Sequence, residues 1–414
     1  MICGLLGEKL GHSYSQIIHK RFGNYDYQMF NVKPTELEEF FAKQQFDGIN
    51  VTIPYKKKVM SYCDHLSPLA QRIGSVNVIV RDSDGHLYGD NCDYQGFIYL
   101  LNINNITVAD KKILILGSGA TSATISVAVE DCGARKIVKV SRTGEINYKN
   151  VSEQNDAQII INTTPVGMYP YSSGRLIDIT AFPDLEAVID LIYNPLCSRL
   201  LFDAREMGIP YAGGLAMLVA QATKTAELFN GLPMADEQIA QIIRDLKSQI
   251  SNIILIGMPG CGKSEIGAVL AQLMGRELVD SDQIIAESMG LSAAELILNG
   301  GEESFRSLEI AALASAGQEH GLIIATGGGA VLKEQNHFSL ACNGRIYFIE
   351  RERGLLDISG RPLSANIGME QLYQQRLPLY RHFADVTIQN DSDIGTAAKK
   401  IMEEFYENIS NQRT

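Results

Sequence analysis

The chain has no surplus of basic residues. Its 36 Lys and Arg face 48 Asp and Glu, a formal net charge of −12 over 414 residues. Binding nucleic acid through its phosphates needs the opposite balance, and an anionic membrane surface would repel this one, so neither partner is expected. Clustered thiols are also missing. The seven cysteines (Cys3, Cys63, Cys92, Cys132, Cys197, Cys261, Cys342) are spread singly with no C-x-x-C step, which argues against a zinc ribbon or a disulfide framework and suits reduced thiols. No apolar run reaches the roughly 20 residues that span a bilayer. The apolar residues 1–7 carry no basic flank of the kind that starts a signal peptide, so a cytoplasmic protein is expected. The histidines (His12, His19, His65, His86, His320, His337, His382) show no H-E-x-x-H or similar spacing, and no repeat of solenoid period occurs.

What remains is a globular composition, 45% hydrophobic and 20% charged, in a length that suits two or three domains at roughly 150 residues each. Apolar runs that read as buried parallel strands alternate with helical patterns. Two of these runs end in glycine-rich turns, residues 113–116 before Gly117 and residues 253–256 before Gly257. Each reads as the first strand of a nucleotide-binding α/β unit. Between them, residues 235–249 carry Ile239, Ile242, Ile243 and Leu246 on one helical stripe. No Gly/Ser- or Pro-rich linker follows, so a short, stiff junction is expected near residue 250.

The second loop is the more specific. Gly257-Met258-Pro259-Gly260-Cys261-Gly262-Lys263-Ser264 matches G-x-x-x-x-G-K-[ST] between a strand and a helical run. Backbone N–H groups freed by the glycines curl round a polyphosphate, Lys263 reaches its β/γ-phosphates, and the Ser264 hydroxyl suits Mg²⁺. Downstream, Asp280-Ser281-Asp282 sets two carboxylates on one side of an extended segment. Glu302-Glu303-Ser304-Phe305-Arg306, Ala325-Thr326-Gly327-Gly328-Gly329, Gly360-Arg361-Pro362-Leu363 and Arg376-Leu377-Pro378-Leu379-Tyr380 follow. Singly these are a turn, a hinge and surface arginines. Together and in this order they resemble shikimate kinase over residues 251–410.

That resemblance implies a P-loop parallel sheet with a lid near residues 350–365, using ATP and Mg²⁺. Gly257, Gly260, Cys261, Gly262, Lys263 and Ser264 would hold the nucleotide, with Ser264 and Asp280 on the metal. Asp282 would bind the ring hydroxyls of shikimate, Arg306 and Arg376 its carboxylate, and Gly328 and Gly329 would line the pocket. Lys263 and the lid residue Arg361 would act on the transferring phosphoryl group, which needs positioning and positive charge. The segment between Phe348 and Arg361 is shorter than the family's lid, and Arg353 is out of register with the arginine that stacks on adenine.

The first loop, Gly117-Ser118-Gly119-Ala120-Thr121-Ser122-Ala123, is a partial dinucleotide fingerprint. A second strand, residues 136–140, leads to Ser141-Arg142-Thr143. An Arg there, in place of an acidic residue, suits the 2′-phosphate of NADP. Around this loop stand His12-Ser13-Tyr14-Ser15, Asn50-Val51-Thr52-Ile53-Pro54-Tyr55-Lys56, Ser75-Val76-Asn77 and Gly89-Asp90-Asn91-Cys92-Asp93-Tyr94-Gln95-Gly96. Later come Asn162-Thr163-Thr164-Pro165-Val166-Gly167-Met168, Asp190-Leu191-Ile192-Tyr193-Asn194-Pro195 and a run from Gly213-Gly214 to Gln221. This set resembles shikimate dehydrogenase over residues 1–248.

By that resemblance, Lys56 and Asp93 form the catalytic pair. Ser13, Ser15, Thr52, Asn77, Tyr193, Gly214 and Gln221 would bind substrate. Gly117, Gly119, Ala120, Ser141, Arg142 and Thr143 would bind NADP(H). Lys57 and Lys58 read as surface charges, and Thr124 stands where the family carries a basic residue. The expected architecture is α/β: a shikimate-dehydrogenase-like substrate domain with a mixed sheet (1–101 and 210–248), a Rossmann-like NADP domain (102–209) and a P-loop kinase domain (251–410). The expected activity is bifunctional, reduction of 3-dehydroshikimate and phosphorylation of shikimate, in chorismate and aromatic amino-acid biosynthesis. Self-association stays open. Two alternatives are a quinate/shikimate dehydrogenase using NAD joined to a related kinase, and a non-catalytic metabolite sensor.

Overall fold

The computed structural model describes residues 1–11, 14–22, 25–356, 369–391 and 393–411, without the side chains of Arg353, Met369 and Asn411. The chain separates into two compact units. One comprises Met1–Asn194 with Asp203–Ile243, the other Pro195–Phe202 with Arg244–Gln412.

The first unit holds two sheets. β1 (Ile2–Gly7), β2 (Asp26–Asn31), β3 (Gly48–Val51), β4 (His65–Leu66), β5 (Val78–Arg81) and β6 (Leu87–Asp90) form a mixed sheet in the order β2-β1-β3-β5-β6-β4. β5 runs antiparallel to both β3 and β6, which sets Asn50 opposite Val78 and Val78 opposite Asp90. The segments that follow β3 and β6, and the one that precedes β5, therefore meet at one end of the sheet. β7 (Lys112–Leu116), β8 (Lys136–Val140), β9 (Ile159–Asn162), β10 (Ala187–Asp190) and β11 (Tyr211–Gly213) form an all-parallel sheet in the order β11-β10-β9-β7-β8.

The continuous apolar runs of β7, β9 and β10 suit burial on both faces, as parallel sheets require. On one face Ile113, Ile115, Ile159, Ile161 and Ile189 pack with Phe97 and Leu100 of the helix Asp93–Ile103 and with Met217 of the helix Leu215–Asn230. Each fully buried isoleucine contributes about 1.5–3 kcal/mol. The same cluster anchors both helices that carry candidate site residues. Those two helices touch at Gly96, where a Cβ would lie 2.8 Å from the Met217 carbonyl oxygen and 2.9 Å from Gln221 Cβ.

In the second unit β12 (Asn252–Ile256), β13 (Leu278–Asp280), β14 (Ile323–Ala325), β15 (Gly344–Glu350) and β16 (Val386–Gln389) form a parallel sheet in the order β13-β14-β12-β15-β16. Ile253, Leu255, Ile323, Tyr347 and Ile349 meet Ile266 and Leu270 of the helix Lys263–Met274, with Ile401 and Phe405 of the helix Ile394–Asn411. The helix Asp236–Ile250 precedes β12 with Ser251 alone between them. Arg276 donates to the Ser248 and Ser251 carbonyls, covering groups that the end of that helix leaves unpaired.

Candidate active sites

In the first unit a cavity of about 210 Å³ is lined by Ser15, Thr52, Lys56, Asn77, Asp93, Tyr193, Gly214 and Gln221, together with Asn50 and Thr121. All the predicted substrate-side residues but one are thus gathered; Ser13 lies outside the described residues. The turn after β3 delivers the lysine. Tyr55 donates its amide to the Thr52 carbonyl at 2.9 Å and its hydroxyl to the Val32 carbonyl at 2.6 Å. With Tyr55 buried as an anchor, Lys56 turns to the cavity. Its Nζ lies 2.5 Å from Asp93 Oδ2.

Asp93 opens the helix Asp93–Ile103 and is itself held. Asn77 Nδ2 donates to Asp93 Oδ1 at 2.8 Å, while Asn77 Oδ1 accepts the Cys92 amide at 2.7 Å. Both carboxylate oxygens therefore have a donor, as a buried charge requires. Asn50, the first residue of the motif that ends in Lys56, also lines the cavity with both amide atoms engaged. Tyr27 donates to its Oδ1 at 2.9 Å, and its Nδ2 donates to Thr225 Oγ1 at 3.0 Å. Tyr14 lies 5.7 Å from Tyr193, ring to ring. Burial pushes the Tyr193 phenol above its ordinary range and that of Tyr14 up to about 12.

A second cavity of about 650 Å³ is lined by the glycine loop (Gly117, Ser118, Gly119, Ala120, Thr121), by Ser141, Arg142 and Tyr148, and by residues 163–166. The loop joins β7 to the helix Ala120–Asp131. Gly117 has φ +118°, and a Cβ there would meet Thr163 Oγ1 at 2.5 Å, so only glycine fits. A Cβ on Gly119 would meet nothing within 4 Å, which leaves its backbone open to a ligand. An apolar-to-polar cleft with glycine backbone at its floor and an exposed arginine in its lining fits a phosphorylated dinucleotide.

Three residues beside this cleft are placed as follows. Thr143 is exposed and is absent from the cleft lining. Thr124 is buried, donating to the Ala120 carbonyl and accepting from Asn91 Nδ2, both at 3.3 Å, so it faces the interior rather than a phosphate. Lys57 is exposed as expected, yet it also lines the cleft. Tyr148 was missed, because nothing in its local sequence separates it from a loop tyrosine.

In the second unit the loop of residues 257–264 wraps from β12 to the helix Lys263–Met274. Gly257, Gly260 and Gly262 have φ of +149°, +80° and +96°. Lys263 is buried, and its Nζ donates to the Gly257 and Met258 carbonyls at 2.9 and 3.0 Å, with Cys261 Sγ at 3.8 Å. Ser264 Oγ donates to Asp280 Oδ2 at 2.9 Å. These two oxygens are hard donors of the kind Mg²⁺ takes.

Asp280 and Asp282 do not share an extended segment. Asp280 ends β13 and caps the helix Ser281–Met289, its Oδ1 accepting the Asp282 amide at 2.9 Å, and Asp282 stands in the first turn of that helix. The capping preference of Asp overrides continuation of the strand.

Arg306 and Arg376 converge on the glycine run. Arg376 Nη1 donates to the Gly328 carbonyl at 2.8 Å, and Tyr380 hydroxyl donates to the same oxygen at 2.5 Å. A Cβ on Gly329 would sit 2.2 Å from Arg306 Nη2, and one on Gly328 would lie 2.7 Å from Pro259 Cδ. The run is therefore packed floor rather than hinge. Arg306 is buried and paired on its own helix, with Glu309 Oε2 at 2.7 Å and Glu302 Oε1 at 3.0 Å. Burial opposes the charge on Arg306, and Glu309 and Glu302 outweigh it, raising its pKa.

Glu309 was missed, although its i+3 spacing from Arg306 was readable as one helix face. Asn390 was also missed. It donates to the Cys261 carbonyl at 2.8 Å and so braces the phosphate loop from 129 positions away in sequence. Arg361 lies outside the described residues, as does most of the expected lid.

The family model for shikimate kinase matches residues 259–409, and that for the shikimate dehydrogenase substrate binding domain matches residues 5–79. A shikimate dehydrogenase (NADP(+)) of Clostridium perfringens is 36% identical over 265 residues, 59% of this chain and 97% of that protein. Among solved structures, shikimate dehydrogenase 1 from Peptoclostridium difficile has a TM-score of 0.56 and 33% identity, covering 59% of this chain and 97% of its own. A chorismate mutase/shikimate 5-dehydrogenase fusion protein from Clostridium acetobutylicum has the same TM-score, identity and coverage. The chain belongs to the shikimate dehydrogenase family and carries a shikimate kinase domain after it.

Proposed function

We propose that this bifunctional enzyme reduces 3-dehydroshikimate to shikimate with NADPH in residues 1–101, 102–209 and 210–248, and phosphorylates the 3-hydroxyl of shikimate with ATP and Mg²⁺ in residues 251–410. The carrying observation is the Lys56–Asp93 pair at 2.5 Å, with Lys56 lining both the substrate cavity and the cofactor cleft. NADPH, when bound, supplies the hydride. Lys56 donates the proton that the new alkoxide needs, Asp93 holds the ammonium, and Asn77 holds Asp93. Arg142 is the group offered to a 2′-phosphate.

For the kinase, the loop amides and Lys263 position the phosphoryl groups, Ser264 and Asp280 offer ligands to Mg²⁺, and Arg306 and Arg376 offer guanidinium forks to the substrate carboxylate. The partners are small molecules and the location cytoplasmic. In support, no helix among the described residues is long and apolar enough to cross a membrane.

One assay tests the pair. NADP⁺ reduction with shikimate should raise absorbance at the NADPH band, and ATP with Mg²⁺ should curtail it by consuming the shared pool. Faster turnover of quinate with NAD⁺ would favour the alternative dehydrogenase, and silence in both halves would favour a sensor.

A further inference from the structure

The substrate cavity and the cofactor cleft have two lining residues in common, Lys56 and Thr121. The first is the proposed proton donor. The second has no part in the reading so far. Thr121 is the second residue of the helix Ala120–Asp131, and the hydroxyls that follow it are used up locally. Ser122 donates to the Gly117 carbonyl at 2.9 Å, Thr124 to that of Ala120 at 3.3 Å, and Ser126 to that of Ser122 at 2.7 Å. Among the described residues the Thr121 hydroxyl has no hydrogen-bond partner. It keeps one donor and two acceptor positions where the two cavities meet.

We propose that Thr121 is a binding residue for the nicotinamide-bearing half of the cofactor. The inference rests on the dehydrogenase reading. Hydride passes directly between cofactor and substrate, so the part of the dinucleotide that reaches the wall shared with the substrate cavity is its redox ring and the attached ribose. The adenosine half belongs to the rest of the cleft, where Ser141, Arg142 and Tyr148 stand. The carboxamide and the ribose hydroxyls of the nicotinamide half both complement a hydroxyl that can donate and accept. Thr121 thus divides the work of cofactor recognition with Arg142, one residue for each half.

Calorimetric titration of the full chain tests this with two probes, NADP⁺ and 2′,5′-ADP, the latter being the adenosine half alone with its 2′-phosphate. Thr121→Val should weaken NADP⁺ binding roughly fivefold, the range of one neutral hydrogen bond. Its affinity for 2′,5′-ADP should stay within about twofold of the parent, and Thr121→Ser should restore NADP⁺ binding. Unchanged NADP⁺ affinity in Thr121→Val overturns the inference, as does an equal loss for both probes, which marks a distorted loop. A parent enzyme that binds neither probe overturns the dehydrogenase reading itself.

Discussion

The two candidate sites handle positive charge differently. In the first unit the lysine is paired with a carboxylate of the proposed chemistry, Lys56 with Asp93, and both line the proposed substrate cavity. In the second unit the cations rest on internal partners. Lys263 sits on two loop carbonyls, Arg376 on the Gly328 carbonyl, and Arg306 on Glu302 and Glu309. A proton-transfer site needs its ammonium held next to the atom it will serve. A phosphoryl-transfer site needs several charges ready for anions that arrive later, and the carbonyls under Lys263 and Arg376 hold a cation without cancelling it, whereas Arg306 is balanced by carboxylates. Burial of an unpaired cation would cost several kcal/mol, so both solutions satisfy the same constraint by different means.

That contrast can be broken by substitution, and the largest effect is expected where one group does the chemistry. Lys56→Ala should lower dehydrogenase kcat by about 10³-fold, within the range of lost general acid catalysis. NADP⁺ affinity measured by calorimetry should change little, and full retained turnover would remove the proton-donor role. Lys263→Ala should lower kinase turnover by about 10²–10³-fold in a coupled ADP assay, comparable to losing one preorganised donor. Dehydrogenase rates measured on the same sample should match the parent, because the two reactions use separate machinery.

A smaller, binding-type effect is expected at Arg306. Arg306→Lys keeps the charge but not the planar fork, so KM for shikimate in the kinase reaction should rise roughly tenfold with kcat less affected. A change confined to kcat would assign Arg306 to the transferring phosphoryl group instead.

The smallest effect concerns stability of the first unit. His19 is buried, stacks on Tyr27 at 4.1 Å and has Nδ1 2.6 Å from the Tyr25 hydroxyl. Burial holds its pKa down at about 3, against an ordinary value of 6.5. Between those values the unfolded chain binds a proton that the folded one refuses, so stability from neutral His19 is present above pH 6.5 and is lost as the pH falls toward 3. Urea midpoints from pH 7 down to pH 4 should fall in the parent and fall less steeply in His19→Phe. Parallel slopes would assign the acid sensitivity to other groups.

Much of both sites was legible because short motifs carry their own geometry. The P-loop spacing predicted a glycine loop between a strand and a helix, and the segment from Asn50 to Lys56 read as a strand ending at a turn, both of which the fold contains. Partners supplied from distant segments were not legible in this way. Asn390 reaches the phosphate loop from the end of the edge strand β16, and Thr124 turns inward because Asn91 lies across from it. The strand-like reading of residues 280–282 failed for a local reason, since an aspartate at that corner caps a helix more favourably than it extends a strand.

Composition and pattern alone determined that this is an α/β chain with two nucleotide loops, because continuous apolar runs ending in glycine turns have few other stable uses. Tertiary structure alone decided which polar groups share a wall. Lys56 and Thr121 come from different sheets' connections, 65 positions apart, yet both line the two cavities of the first unit. Local periodicity cannot encode such a meeting. It follows from how the helix Ala120–Asp131 and the turn after β3 are each held by their own buried anchors.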